Sequence, residues 1–235
     1  MRSACHCGVC WIRVLGILLF FMEFLRQALD VFIHLDQHLT SVIATYGSWT
    51  YALLFLIVLL ETGAVLTPFL PGDSLLFAAG TFAAQGSLRL SVLFLLFSIA
   101  AIAGDAVNYT IGHFIGPKLF RQEHSRFLNR AHLKRTEAFY EQHGTKTIIL
   151  ARFIPIIRTF APFVAGIGNM PYATFALYNI IGGLLWVTLF LGGGYVFGNI
   201  PVVRNNFEVV ILGIIAISML PAIYHVFKEK MKHTV

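Results

Sequence analysis

Two arginines and three acids stand in this chain where an apolar run should carry no charge. Arg152 and Arg158 flank a proline in Arg152-Phe-Ile-Pro155-Ile-Ile-Arg158-Thr-Phe-Ala-Pro162-Phe-Val-Ala-Gly166. Glu61 opens, and Asp73 closes, the broken stretch Glu61-Thr-Gly63-Ala-Val-Leu-Thr67-Pro68-Phe-Leu-Pro71-Gly72-Asp73, while Asp105 interrupts another apolar run. An arginine at bilayer depth costs at least about 2.5 kcal/mol on insertion scales. It keeps its charge there, and its planar fork matches phosphate oxygens. A guanidinium pair in a water-accessible cavity would lower the barrier for an anionic headgroup crossing a low-dielectric slab. The alternative is that Arg152 and Arg158 only neutralise Glu61 and Asp73. Both hold together if a substrate displaces an internal partner.

The acids admit two roles each. Glu61 follows a strongly apolar run at 49–60. A carboxyl removed from water is a candidate proton carrier coupled to transport. The competing role is a carboxylate that caps a hairpin. Asp73 follows Pro71-Gly72 and reads first as a helix N-cap. Asp105, near Asn108 and Tyr109, either faces the same cavity or bonds a neighbouring helix. No nucleophile–histidine–acid set accompanies these groups, so an enzyme is not expected, and a lipid phosphatase is the rival that phosphate release would revive. His113, His124, His132 and His143 lack ligand spacing, and no metal or cofactor is expected.

These residues sit in a chain of 235 residues that is 57% hydrophobic and only 12% charged, with mean hydropathy +0.77. Soluble domains carry about a quarter charged residues. The composition predicts an all-α polytopic membrane protein with one membrane domain. The net charge of +6, from 17 basic and 11 acidic residues, could suggest nucleic acid. In so apolar a chain it reads instead as topology, because Lys and Arg hold loops on the cytoplasmic side.

The three cysteines, Cys5, Cys7 and Cys10, lie with His6 at the N-terminus. Their spacing is tighter than zinc sites use, and nothing downstream supplies soft ligands. Residues 1–21 are expected to be an extension or a mis-assigned start, translation beginning at Met22, and 22–235 to be the membrane domain.

From residue 23 to 47 apolar Leu25, Val31, Phe32, Leu35 and Leu39 alternate with Asp30, His34, Asp36 and His38, which predicts an amphipathic helix at the interface. A first helical hairpin is expected over about 49–86. Pro68, Pro71 and Gly72 break it, neither limb is comfortably a full span, and its irregular tip would line a cavity. A span follows at 90–115. Next comes a basic loop, about 117–146, whose seven Lys and Arg face three Glu, with an amphipathic helix around 129–142. It should be cytoplasmic. The second hairpin is expected over about 147–168, broken by Pro155, Pro162 and Gly166. Spans at 174–198 and 207–227 and a basic tail complete the chain. With loop and tail both inside, the hairpins enter from opposite faces, the geometry of an inverted repeat. Thr67-Pro-Phe-Leu-Pro-Gly72 and Ala161-Pro-Phe-Val-Ala-Gly166 match at an offset of 94 residues and suggest its register.

Glu61-x-Gly63, Pro68-x-x-Pro71-Gly72-Asp73, Gly104-Asp105-x-x-x-Tyr109-x-Ile111-Gly112 and Arg152-Phe153-x-Pro155-x-x-Arg158 followed by Ala165-Gly166 together resemble the DedA family, from about Met22 to the tail. That family shares a domain with eukaryotic lipid scramblases of the SNARE-associated (VTT) group. The resemblance implies a bacterial inner-membrane protein with two opposed re-entrant hairpins and about three transmembrane helices. Its acidic pair matches Glu61 and Asp73 and its arginine pair Arg152 and Arg158. Family members are implicated in recycling undecaprenyl phosphate across the membrane, and others are linked to proton-dependent transport, envelope integrity and drug tolerance. The expected function is translocation of a lipid phosphate, with membrane lipids, a polyprenyl phosphate and protons as partners. The rivals are a proton-driven exporter of small ions or cationic drugs and a non-transporting envelope factor. Self-association is left open.

Overall fold

The computed structural model describes residues 35–63, 72–121, 147–168, 170–214 and 216, all of whose regular structure is helical. The helices are α1 (Leu35–Tyr46), α2 (Trp49–Gly63), α3 (Gly72–Ala84), α4 (Leu90–Arg121), α5 (Thr147–Ala151), α6 (Pro155–Ile167), α7 (Tyr172–Phe197) and α8 (Pro201–Asn205), followed by α9 over 207–214. The cysteines, the first half of the predicted interfacial helix, the tip with Pro68 and Pro71, most of the basic loop and most of the last predicted span lie outside the described residues.

Among the described residues two helices have the length and apolarity to cross a bilayer, Leu90–Ile115 within α4 and Tyr172–Phe197. Both stretches are 26 residues long, about 39 Å of helix against a hydrocarbon core of roughly 30 Å. The limbs of the predicted hairpins are shorter: 15 residues in α2, 13 in α3 and 13 in α6, about 20–22 Å each. Large apolar side chains on the outer faces, such as Leu95, Leu177, Leu185, Leu189 and Val196, are exposed. Such a surface is a liability in water and suits lipid. Within, Phe97, Leu76, Trp186, Val187 and Leu191 are buried in one apolar core.

The packing repeats itself. The first limb α2 lies on α4 and α5 lies on α7, while the second limbs cross over, α3 onto α7 and α6 onto α4. Backbones meet at these crossings. A Cβ placed on Gly80 would stand 2.2 Å from the Leu191 carbonyl oxygen and 2.9 Å from the Tyr195 nitrogen. One on Gly166 would stand 2.1 Å from the Tyr109 carbonyl oxygen and 2.8 Å from the His113 nitrogen. Gly194 meets the Phe77 carbonyl in the same way that Gly112 meets that of Phe163. Only glycine lets helices approach so closely.

These contacts correct the expected register. Phe77 and Gly80 correspond to Phe163 and Gly166, 86 residues later (163 − 77 and 166 − 80), not to positions 94 residues later. The Pro-Phe match was misleading because Pro162 and Gly166 do not break a hairpin. Both lie inside α6, which runs on to Ile167. The break falls at 152–154, and Pro155 opens α6, where a missing N–H removes no helical bond. Pro162 does remove one within α6. The carbonyl that loses its donor is that of Arg158; beside it, Asn108 Nδ2 donates to the Thr159 carbonyl at 2.6 Å, so α4 is tied to α6 in the turn that contains the proline. Nor does the helix after Leu90 stop at 115; it continues to Arg121, into the expected loop.

Candidate functional site

The five charged residues singled out by sequence converge in the interior. Glu61, Asp73, Asp105, Arg152 and Arg158 are between 1% and 8% exposed, and they come from α2, α3, α4, the 152–154 turn and α6. They form two clusters, one around each arginine.

Arg158 holds two acids, Glu61 of α2 and Asp73 of α3. Its Nη2 donates to Glu61 Oε1, and its Nη1 donates to Asp73 Oδ1 at 2.6 Å. Trp186 Nε1 donates to that same Asp73 oxygen at 2.8 Å. The Trp186 ring also lies under the guanidinium, 5.1 Å from Cζ to centroid, a distance at which the ring face attracts a cation. Glu61 Oε1 accepts a further bond from the Gly72 N–H at 3.1 Å. A Cβ on Gly72 would come within 2.0 Å of Glu61 Oε2, so glycine at the start of α3 leaves the room in which that carboxylate sits. Asp73, in the first turn of α3, has its charge at the positive end of a helix.

Arg152 is held by different residues. Its Nη2 donates to Asp105 Oδ2 and to Asn179 Oδ1, and reaches the Ala101 carbonyl at 3.4 Å. Asn179 in turn donates to the Ile102 carbonyl at 3.0 Å, tying α7 to α4. Gly182 and Gly183 pass close beside the Arg152 side chain, which explains part of the glycine content of α7: a side chain there would crowd the guanidinium.

A cavity with room for about one water molecule lies between the clusters, lined by Thr62, Asp105, Arg152, Arg158, Thr159 and Trp186. Three buried polar atoms of the site have no protein partner: Glu61 Oε2, Arg152 Nε and Arg158 Nε. With every acid ionised the five groups sum to −1, three carboxylates against two guanidiniums; one proton makes them neutral. Among the described residues no group of three or more His, Cys, Asp or Glu could hold a metal.

The VTT domain matches residues 70–196. The chain belongs to this family, the DedA family of membrane proteins. The matched stretch runs from just before Asp73 to the end of α7 and takes in every residue of the site except Glu61 and Thr62. Protein DedA of Escherichia coli (strain K12) is 53% identical over 211 residues, covering 89% of this chain and 96% of that protein. An uncharacterized membrane protein of Mycobacterium tuberculosis (strain ATCC 25618 / H37Rv) is 42% identical over 180 residues, 76% of this chain and 79% of its own. The inner membrane protein YqjA of Escherichia coli (strain K12) is 33% identical over 181 residues, 77% of this chain and 82% of its own. No solved structure matches. This member of the family is a membrane protein by kinship and by its two long apolar helices.

Sequence reasoning named Asn108 only as a neighbour of Asp105 and passed over Trp186, Asn179 and Thr62. Two of them carried a signal. Asn179 is a polar residue inside an apolar helix, and Trp186 sits at mid-helix rather than at the ends, where membrane tryptophans usually gather. They are seven residues apart, two helical turns, and so share one face of α7.

Proposed function

We propose that this protein translocates a lipid-linked phosphate across the bacterial inner membrane, with undecaprenyl phosphate as its substrate. The observation that carries this reading is the burial of Arg152 and Arg158 beside one shared cavity, the first in the break between α5 and α6 and the second in the first turn after it. Buried charges are expensive unless paired, and replacing such a pair by apolar residues is often neutral or stabilising. A cluster of five inside lipid therefore points to use rather than to stability. Guanidinium is suited to phosphate by its fork and its permanent charge.

In this reading the short pairs α2–α3 and α5–α6 are re-entrant hairpins, since none of these limbs reaches the length of a span. The crossed packing is the internal repeat. The contacts Asp73–Trp186 and Thr81–Gly198 advance together along α3 and α7, and Thr159–Asn108 and Phe163–Gly112 advance together along α6 and α4. Each second limb therefore runs parallel to the long helix of the other half. With the basic loop after α4 inside, α4 and α6 run inward and α3 and α7 outward, so the hairpins enter from opposite faces. The headgroup passes between them while the isoprenoid tail stays in lipid. A proton that neutralises one acid releases an arginine for the phosphate. The substrate is carried without a covalent step.

The test is leaflet exchange of defined polyprenyl phosphates in liposomes containing the purified protein, with and without a pH gradient. Arg158→Ala abolishes exchange. Arg158→Lys keeps the charge, loses the fork and leaves little activity. Normal exchange with both arginines replaced by alanine would refute the reading. The excess of acids over arginines favours one rival, a proton-driven exporter of small cations. Cation flux that undecaprenyl phosphate neither competes with nor stimulates would decide for it.

A further inference from the structure

The two acids that hold Arg158 are not held equally. Asp73 Oδ1 receives Arg158 Nη1 at 2.6 Å and Trp186 Nε1 at 2.8 Å, and its charge sits in the first turn of α3, at the positive end of that helix. Glu61 is two residues from the end of α2, where the helix dipole disfavours a negative charge. Only its Oε1 is bonded, to Arg158 Nη2 and the Gly72 N–H; its Oε2 is buried without a partner. Each acid takes two donors on one oxygen, but those of Asp73 come from α6 and α7 and its charge sits at a helix N-terminus, whereas Glu61 lies at a helix C-terminus with its Oε2 buried and unpartnered.

The guanidinium shows the same imbalance. Nε and Nη2 of an arginine form one edge, whose two N–H groups point the same way and can grip two oxygens of one anion. Glu61 occupies this edge through Nη2 alone, while Arg158 Nε on the same edge is buried and unpartnered. Asp73 takes Nη1, which faces away from Nε, and the Trp186 ring covers the guanidinium face. The open edge and the partnerless carboxylate oxygen occur together.

Resting on the lipid-phosphate reading above, we propose that the phosphate docks on the Nε/Nη2 edge of Arg158 by displacing Glu61, while Trp186 and Asp73 stay in place and hold the guanidinium in orientation. Glu61 is a placeholder that a phosphate replaces with a two-point contact. Trp186 is a positioning residue: its N–H fixes the Asp73 carboxylate, and its ring fixes the plane of the guanidinium. The charged groups around Glu61 are Arg158 from α6, Asp73 from α3, and Asp105 from α4 with its partner Arg152. Trp186 from α7 brings no charge. A proton taken up on Glu61 Oε2 loosens the placeholder without disturbing the clamp. The ligand chemistry is a phosphate monoester, whether a lipid headgroup or free phosphate, and the choice between these is left to the lipid tail.

The chain carries three tryptophans. Replacing Trp11 and Trp49 by Phe leaves Trp186, which touches both Asp73 and Arg158 and reports on the edge by its fluorescence. Nanodiscs of zwitterionic lipid are titrated with undecaprenyl phosphate, with undecaprenol lacking the headgroup, and with inorganic phosphate. The expected result is an emission change with undecaprenyl phosphate and none with undecaprenol; a response to inorganic phosphate would assign the site to free phosphate instead of the lipid. Glu61→Gln, which removes a charge-assisted competitor, tightens phosphate binding about tenfold or more. Asp73→Asn weakens it, and so does Trp186→Phe, followed by radiolabelled lipid since the fluorophore is gone. Phe keeps an aromatic face but loses the pyrrole half of the indole with its N–H, so a loss of binding in a protein that still elutes as the folded species reflects the hold of Trp186 on Asp73 and the guanidinium together. Arg158→Lys, which has the charge and no edge, abolishes the Glu61→Gln gain. If Glu61→Gln weakens binding as much as Asp73→Asn does, both acids are scaffold and the proposal is overturned. If the wild type binds and exchanges the lipid while Glu61→Gln and Trp186→Phe bind as it does, the proposal fails and the translocation reading stands. If the wild type neither binds nor exchanges a phosphate lipid, both fall.

Discussion

Replacing Arg152 by Met would leave Asp105, 4% exposed, facing an apolar side chain in the protein interior. Arg152 also serves Asn179 and the Ala101 carbonyl, so the substitution removes the charge partner and one good hydrogen bond together. Breaking a buried ion pair by deleting one partner costs about 3–5 kcal/mol. That is a large share of the 5–15 kcal/mol by which a folded domain is held, and Arg152→Met should be markedly less stable. Asp105→Leu should fall by a similar amount, since it leaves the guanidinium unpaired. The double variant Arg152→Met/Asp105→Leu removes both charges and fills the space with apolar atoms, a change that is often neutral or stabilising. The double variant is therefore expected within about 1 kcal/mol of the wild type, with a coupling energy of several kcal/mol across the pair. Arg158→Met should be worse than Arg152→Met, because it leaves two carboxylates, Glu61 and Asp73, around the vacated position. The assay is thermal unfolding of the purified protein in detergent, with lipid-phosphate exchange measured on the same preparations. If the double variant is as unstable as the sum of the singles, the pair is not coupled and the charge argument is wrong. If it is stable and exchanges lipid normally, Arg152 is no part of the phosphate path.

Gly166→Ala and Gly80→Ala should destabilise by about 1–3 kcal/mol each, because the added carbon meets a backbone oxygen at 2.1 or 2.2 Å and the helices must part; Gly192→Ala, with open space around it, should be neutral or better by up to about 1 kcal/mol, and equal melting points for all three would contradict the crossed packing. Tyr109→Phe removes the donor to the buried Met170 carbonyl and should cost about 1–3 kcal/mol with little change in exchange rate per folded molecule, checked by melting and exchange on one preparation.

Much of the site was legible in the chain because charge is conspicuous in an apolar sequence. Glu61, Asp73, Asp105, Arg152 and Arg158 each stand out against neighbours that belong in lipid. The break at Pro155 was legible because proline acts locally: it opens α6, where its ring and missing N–H are tolerated. The same local reasoning misjudged Pro162 and Gly166. A proline inside a helix is tolerated when tertiary packing holds the turn around it, here with Asn108 of α4 bonded to the Thr159 carbonyl, and no local rule sees a partner 51 positions away.

Partnership is what the sequence by itself did not determine. Which acid answers which arginine depends on helices that cross, α3 over α7 and α6 over α4, and those crossings rest on glycines whose backbone contacts span up to 117 residues, from Thr81 to Gly198. Asn179 and Trp186 are ordinary residues of an apolar helix until the fold turns their shared face toward the two guanidiniums. The chain alone settled that charge would lie inside the membrane domain, because residue type and hydropathy are properties of single positions. The tertiary structure alone decided that Asp105 belongs to Arg152, and Glu61 and Asp73 to Arg158, because Coulomb energy and hydrogen bonding depend on separations of a few ångströms between elements far apart in sequence.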